Sequence, residues 1–224
     1  MSDGNGVARP PSGVGLDGLR AAAAGCRACE LWEPATQTVF GSGPETARVV
    51  FVGEQPGDQE DRTGEPFVGP AGKLLDRALG DAAIPRRDAY VTNAVKHFSF
   101  KPTPKRRLHQ TPKPEHLRAC RPWLEAEFEV LKPEIVVCLG ATAAKALISP
   151  SFRITQDRGR LLPWTPPGVA ATPDPADEDE DAPSQTWMLA TTHPSAILRT
   201  PDEGRAAAYD ALVADLTVVA HALA

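Results

Sequence analysis

No apolar run in the 224-residue sequence approaches the roughly 20 residues a helix needs to cross a bilayer, so no membrane span is expected. The first residues are polar and rich in glycine and proline, without the apolar stretch of a secretory signal. An intracellular, cytoplasmic protein is therefore expected. No internal repeat is apparent, which argues against solenoids and propellers. Cysteine is scarce, at four residues, and in a reducing compartment those four are not expected to form disulfides. Positive charge is also short. The formal net charge is −5, a balance that on its own argues against a polyanionic partner.

That average conceals segregation along the chain. Residues 174–181 hold six acids and no base, and without them the balance becomes +1. Between Lys96 and Arg121 stand eight lysines and arginines against Glu115 alone. Such a stretch reads either as a local footprint for a polyanion or as a solvated basic loop.

The hydrophobic content of 42% suits an ordinary globular chain, and the length suits one well-buried domain rather than two. Four apolar runs at 48–53, 90–95, 134–140 and 187–192 read as strands buried on both faces, the kind found in a parallel sheet. Helical patterns at 16–24, 72–79, 114–131, 141–148 and 203–223 surround them. The expected fold is a single three-layer α/β/α domain over residues 15–224, with a mainly parallel four-stranded sheet. Residues 1–14 are expected to be disordered, and the Pro/Ala/acid-rich 163–185 to be a mobile insertion. Four prolines make 101–114 an irregular loop.

Working residues in such sheets gather beyond the C-terminal strand ends. That rule points to Gly53, Glu54 and Gln55, to Asn93, to the turn after Gly140, and to His193 and Ser195. The segment from Gly69 to Lys73 is too short for a phosphate-binding P-loop, and Leu74 stands where Ser or Thr belongs. His97 follows the second strand and is a candidate for contact with a polyanion; His116 and His221 receive no role. Cys26 and Cys29 form a Cys-x2-Cys, and Cys120 and Cys138 complete a set of four. Four thiolates hold either a tetrahedral zinc or an iron–sulfur cluster, and spacing does not separate the two. Cys138, inside an apolar strand, also reads as a small core residue.

Five segments together resemble the iron–sulfur (family 4) uracil-DNA glycosylases, and most closely their UdgX branch. They are Gly53-Glu54-Gln55-Pro56-Gly57, the run from Glu65 to Gly72, the run from Val91 to Lys96, Lys105-Arg106-Arg107-Leu108-His109-Gln110, and His193-Pro194-Ser195. The resemblance implies a uracil-DNA glycosylase fold and a 4Fe-4S cluster on Cys26, Cys29, Cys120 and Cys138. It also implies uracil-containing DNA as partner and a monomer. Gln55, where ordinary family 4 enzymes have alanine, and the Lys-Arg-Arg-Leu-His-Gln loop are hallmarks of UdgX, whose members bond covalently to DNA after removing uracil.

Each position then acquires an expected role. Phe67 stacks on uracil, Asn93 reads its edge, and Gly53, Glu54 and Gln55 border the base. His193 stabilises charge on the uracil O2. Lys105, Arg106, Arg107, Ser195 and Arg199 hold phosphates. His109 attacks the sugar C1′, with Glu54 accepting its other N–H as the orienting base. The alternatives are an ordinary turnover glycosylase that activates water and a non-catalytic cluster-bearing DNA-binding module.

Overall fold

The computed structural model describes residues 6–165 and 185–224. The fully buried strands β1 (Val49–Gly53), β2 (Ala89–Asn93) and β5 (Ile135–Leu139) occupy three of the four expected runs, and β7 (Thr186–Thr191) the fourth. They lie side by side in the order β2-β1-β5-β7, all parallel. A fifth strand, β6 (Leu162–Trp164), pairs antiparallel with β7 at the sheet edge. The expectation of four strands missed it, because its Leu-Pro-Trp runs straight into the acidic segment. Pro163 fits an edge, where a missing N–H costs no ladder bond. Most of the expected mobile insertion, 166–184, lies outside the described residues.

Alternation along the strands sends side chains to two opposite cores. Val50, Val52, Val136, Cys138 and Met188 face α1 (Leu16–Ala23), α4 (Pro114–Leu131) and α5 (Ala141–Leu147), where Leu19, Trp123, Phe128 and Ala144 meet them. Val49, Phe51, Val137 and Leu189 face the other way, toward α3 (Pro70–Asp81), α7 (Pro194–Arg199) and α8 (Asp202–Leu223). Two short helices, α2 (Asp58–Thr63) and α6 (Ile154–Asp157), border the strand ends. By length and composition α8 alone among the described residues is apolar enough to cross a membrane. Here Leu212, Leu216 and Val219 are buried in the core, and Asp215 pairs with Arg158 at 2.6 Å. The three-layer α/β/α architecture stands as expected.

Two departures bear on the site. Residues 101–114 are not a structureless loop. Strands β3 (Phe100–Pro102) and β4 (Arg107–His109) make an antiparallel hairpin with Phe100 opposite His109. Its prolines fall at the end of β3, in the turn and after β4, where no ladder donor is lost; Thr103 Oγ1 accepts from the Arg106 N–H at 3.1 Å and closes the turn. At the N-terminus, Ala8 is buried and its N–H donates to the Ala119 carbonyl at 2.9 Å. Part of the segment expected to be disordered therefore docks on α4; residues 1–5 are outside the described set.

Candidate active site

The strand order reverses about β1: β2 lies on one side, β5 and β7 on the other. A crevice at the C-terminal strand ends is the geometric consequence. It is a cleft of about 890 Å³, and Glu54, Gln55, Phe67, Asn93, His109 and His193 all border it. Ser195 and Arg199 line it as well.

Gly53 ends β1 opposite Asn93 in register. A Cβ at Gly53 would collide with the Asn93 side-chain oxygen and the Phe67 ring, so the absence of a side chain lets amide and ring approach each other. Phe67 holds a left-handed φ of 58°, a conformation that costs a non-glycine residue on the order of 1 kcal/mol or more. Asn93 is 2% exposed, and its Nδ2 is one of two buried side-chain polar atoms without a hydrogen-bond partner among the described residues. An orphaned amide donor at a cleft wall costs stability until something fills it.

His193 caps α7, its Nδ1 accepting the Ser195 N–H at 3.1 Å. That bond leaves the proton on Nε2, and burial, aided by the charge of Arg199, lowers the pKa to about 4. His193 is thus a neutral imidazole with one N–H to donate, its ring stacked 6.3 Å from Phe67.

The hairpin delivers His109 to the cleft, and Gln55 holds it there. The Gln55 Oε1 accepts the Ser99 N–H at 2.8 Å, and its Nε2 donates to the Gln110 carbonyl at 2.9 Å. With the amide oriented by these bonds, its Nε2, 2.8 Å from the His109 Nε2, acts as donor. The His109 Nε2 therefore carries a lone pair. Glu54 Oε1 stands 3.6 Å from that same nitrogen, which corrects the expectation that the carboxylate accepts the proton of the other ring nitrogen. The opposite oxygen of Glu54 accepts from Thr142 Oγ1 at the start of α5. Thr142 escaped sequence reasoning, since 88 residues separate the pair. Burial lowers the His109 pKa; the Glu54 charge opposes this and Arg199 reinforces it.

Four of the eight cations in the basic stretch pair with carboxylates of the fold. Arg107 is 16% exposed; it binds Asp58 and Asp61, each at 2.5 Å, and lies 4.9 Å from the Phe100 ring centroid. It anchors the hairpin to α2 rather than offering itself to phosphate. Lys96 is buried against Glu127 at 2.6 Å. Lys113 and Arg121 also have carboxylate partners. Lys105 and Arg106 remain exposed at the hairpin tip, without a carboxylate partner among the described residues.

The four cysteines do not form one group. Cys26 accepts the Trp123 indole N–H at 3.3 Å, and Cys120 accepts the Lys96 backbone N–H at 3.2 Å. Burial raises the Cys29 pKa, with the charge of Cys26 adding to it. Burial pushes Cys120 to about 12, opposed by Lys96 and increased by Cys26 and Cys29. These three thiols sense one another. Cys138 is fully buried, its pKa is raised by burial alone, and its thiol lies 3.7 Å from the Met188 sulfur. It is a core residue, which corrects the four-cysteine set.

Comparison with known proteins agrees with this architecture. The model of the "Uracil DNA glycosylase superfamily" matches residues 40–217. A type-4 uracil-DNA glycosylase of Thermotoga maritima is 42% identical over 140 residues, 62% of this chain and 69% of that protein. A type-4 enzyme of Pyrobaculum aerophilum is 35% identical over 176 residues, covering 79% of this chain and 81% of the other. A type-5 uracil-DNA glycosylase of Thermus thermophilus is 36% identical over 127 residues, 50% of this chain and 54% of that one. With the match spanning the sheet, the cleft and most of α8, this chain belongs to the uracil DNA glycosylase superfamily, on the side of its type-4 members.

Proposed function

We propose that this protein excises uracil from DNA and then bonds through His109 to C1′ of the sugar it has exposed. The observation that carries the second half is the Gln55 amide, which presents the His109 Nε2 lone pair beside Glu54 at the mouth of the cleft. The excision half is supported by the family and by the orphaned Asn93 Nδ2, a donor awaiting a carbonyl.

A base inside a duplex is out of reach, so the nucleotide enters flipped or from a single strand. Phe67 covers the face of the uracil, and Asn93 offers one donor and one acceptor to its edge. As the C1′–N1 bond breaks, its electron pair leaves with uracil. The His193 Nε2–H donates to the oxygen where that charge builds. Glu54, fixed by Thr142, faces the oxocarbenium-like sugar and stabilises it electrostatically. The His109 Nε2 lone pair then closes a bond to C1′ in place of its contact with Gln55. The ring loses its Nδ1 proton, the uracil anion gains one, and a neutral N-alkyl imidazole remains. Lys105, Arg106 and Arg199 hold the flanking phosphates.

The thiols of Cys26, Cys29 and Cys120 suit a 4Fe-4S cluster. N–H donors already address two of the sulfurs, as ligating thiolates require. A single zinc would need sulfurs about 3.8 Å apart. Among the described residues the ligand atoms gathered within 4.8 Å are instead those of Glu30, Glu115 and His116. Such a cluster would tie the loop after α1 to α4 rather than carry electrons.

Uracil-containing single-stranded DNA in excess over enzyme tests the proposal by denaturing electrophoresis and uracil quantitation. One uracil per chain and a heat-stable adduct are expected, and in His109→Ser the adduct disappears. Many uracils per chain with no adduct would refute the capture and leave the excision standing.

A further inference from the structure

Glu54 stands just past the end of β1, and the residue that fixes its carboxylate comes from a different strand end. β5 stops at Leu139, and Gly140 turns the chain with a φ of 89°, which glycine adopts without strain. The Gly140 N–H donates to the Thr191 carbonyl at 2.8 Å, and a Cβ at Gly140 would stand 3.0 Å from the Cβ of His193. The turn therefore packs on the segment that carries His193. Thr142 follows as the second residue of α5. A threonine deep in a helix can donate its hydroxyl back to the carbonyl four residues earlier. For Thr142 that residue is Cys138, inside β5, so no helical carbonyl stands behind it. Its hydroxyl donates to Glu54 Oε2 instead.

This bond sets more than the place of the side chain. A carboxylate turns freely about its last torsion, and either oxygen can accept. With the hydroxyl proton on Oε2, Oε1 is the oxygen left 3.6 Å from the His109 Nε2. Thr142 is β-branched and stiff at χ1, so its hydroxyl keeps its direction. An Oε2 released from Thr142 would be free to take a proton from water. The water oxygen would then bond to C1′ while uracil departs with the C1′–N1 electron pair, and Glu54 would hold the proton. Such hydrolysis competes with His109 for the same carbon.

We propose that Thr142 is a positioning residue that commits Glu54 to the sugar cation and withholds it from water, so that capture by His109 wins over hydrolysis. The inference rests on the capture reading above. Thr142 is half-buried in the wall of the cleft, beside the groups it orders.

The test counts released uracil and covalent adduct when uracil-containing single-stranded DNA is given in excess to the full chain. Wild type is compared with Thr142→Ser, which keeps the hydroxyl, and with Thr142→Val, which keeps the shape without it. Wild type and Thr142→Ser should release one uracil per adduct. In Thr142→Val the adduct per uracil released should fall about 10-fold or more, the scale of one hydrogen bond to a charged group, with repeated turnover in its place. Should Thr142→Val fail to fold, Thr142→Ala at the same half-buried helix start gives the same reading. Slower release with an unchanged ratio of adduct to uracil would show a purely structural role and overturn the proposal, as would Thr142→Ser behaving like Thr142→Val. A wild type that releases many uracils without adduct would refute the capture reading itself, and this inference with it.

Discussion

His109 and His193 are both imidazoles kept neutral, for different uses. In His193 the Nδ1 is occupied by the Ser195 N–H, leaving a donor. In His109 the Nε2 accepts from the Gln55 amide, so the lone pair that the proposed capture needs is held at the cleft. Capture requires the unprotonated ring, and burial sets the His109 pKa below the ordinary 6.5. The adduct rate should therefore be level in alkaline solution and fall with acid, with a midpoint below 6.5. Glu54 raises the His109 pKa, so Glu54→Gln should slow the reaction and also move that midpoint to lower pH. A stopped-time gel series across pH checks both; a midpoint at or above 6.5 would contradict the neutral-nucleophile account. A carboxylate at a strand end was legible in the sequence. Which ring nitrogen it faces was not, because Gln55, Ser99 and Gln110 decide that from 44 to 55 residues apart.

At the scale of elements the hairpin separates two kinds of arginine. Arg107 clamps β4 to α2, whereas Lys105 and Arg106 project from the turn. Lys105→Ala and Arg106→Ala should each weaken single-stranded DNA binding and lower the slope of log affinity against log salt by about 0.7. Arg107→Ala should leave that slope unchanged and slow adduct formation about 100-fold, since a displacement near 1 Å at a reacting atom costs that much. Fluorescence anisotropy at several salt concentrations, paired with adduct kinetics, distinguishes them. Equal slopes in Arg106→Ala and wild type would contradict the phosphate role. The sequence pattern placed the four parallel strands, because long apolar runs carry their own signal. It did not place β3, β4 or β6, strands of three residues each, too short to carry a periodic signal.

Across the whole molecule the two working regions share one buried network. Lys96 Nζ binds Glu127, Thr92 Oγ1 and the Asn93 carbonyl, while its backbone N–H addresses Cys120. Glu127 also accepts from the Tyr90 hydroxyl and the Gly41 N–H. Lys96→Met would strand a buried carboxylate and should destabilise the fold by roughly 3–5 kcal/mol, read by chemical denaturation of the purified protein. Loss below 1 kcal/mol would mean the network is hydrated or rearranges. In the sequence this lysine was one of eight in a basic run, and only the fold shows that it faces inward. The central claim concerns a bond, and a bond has a mass. Intact-mass spectrometry of the protein after reaction with a uracil-containing oligonucleotide should give protein plus DNA less one uracil, and peptide mapping should put the sugar on His109. Unmodified protein beside fully excised DNA would contradict the account.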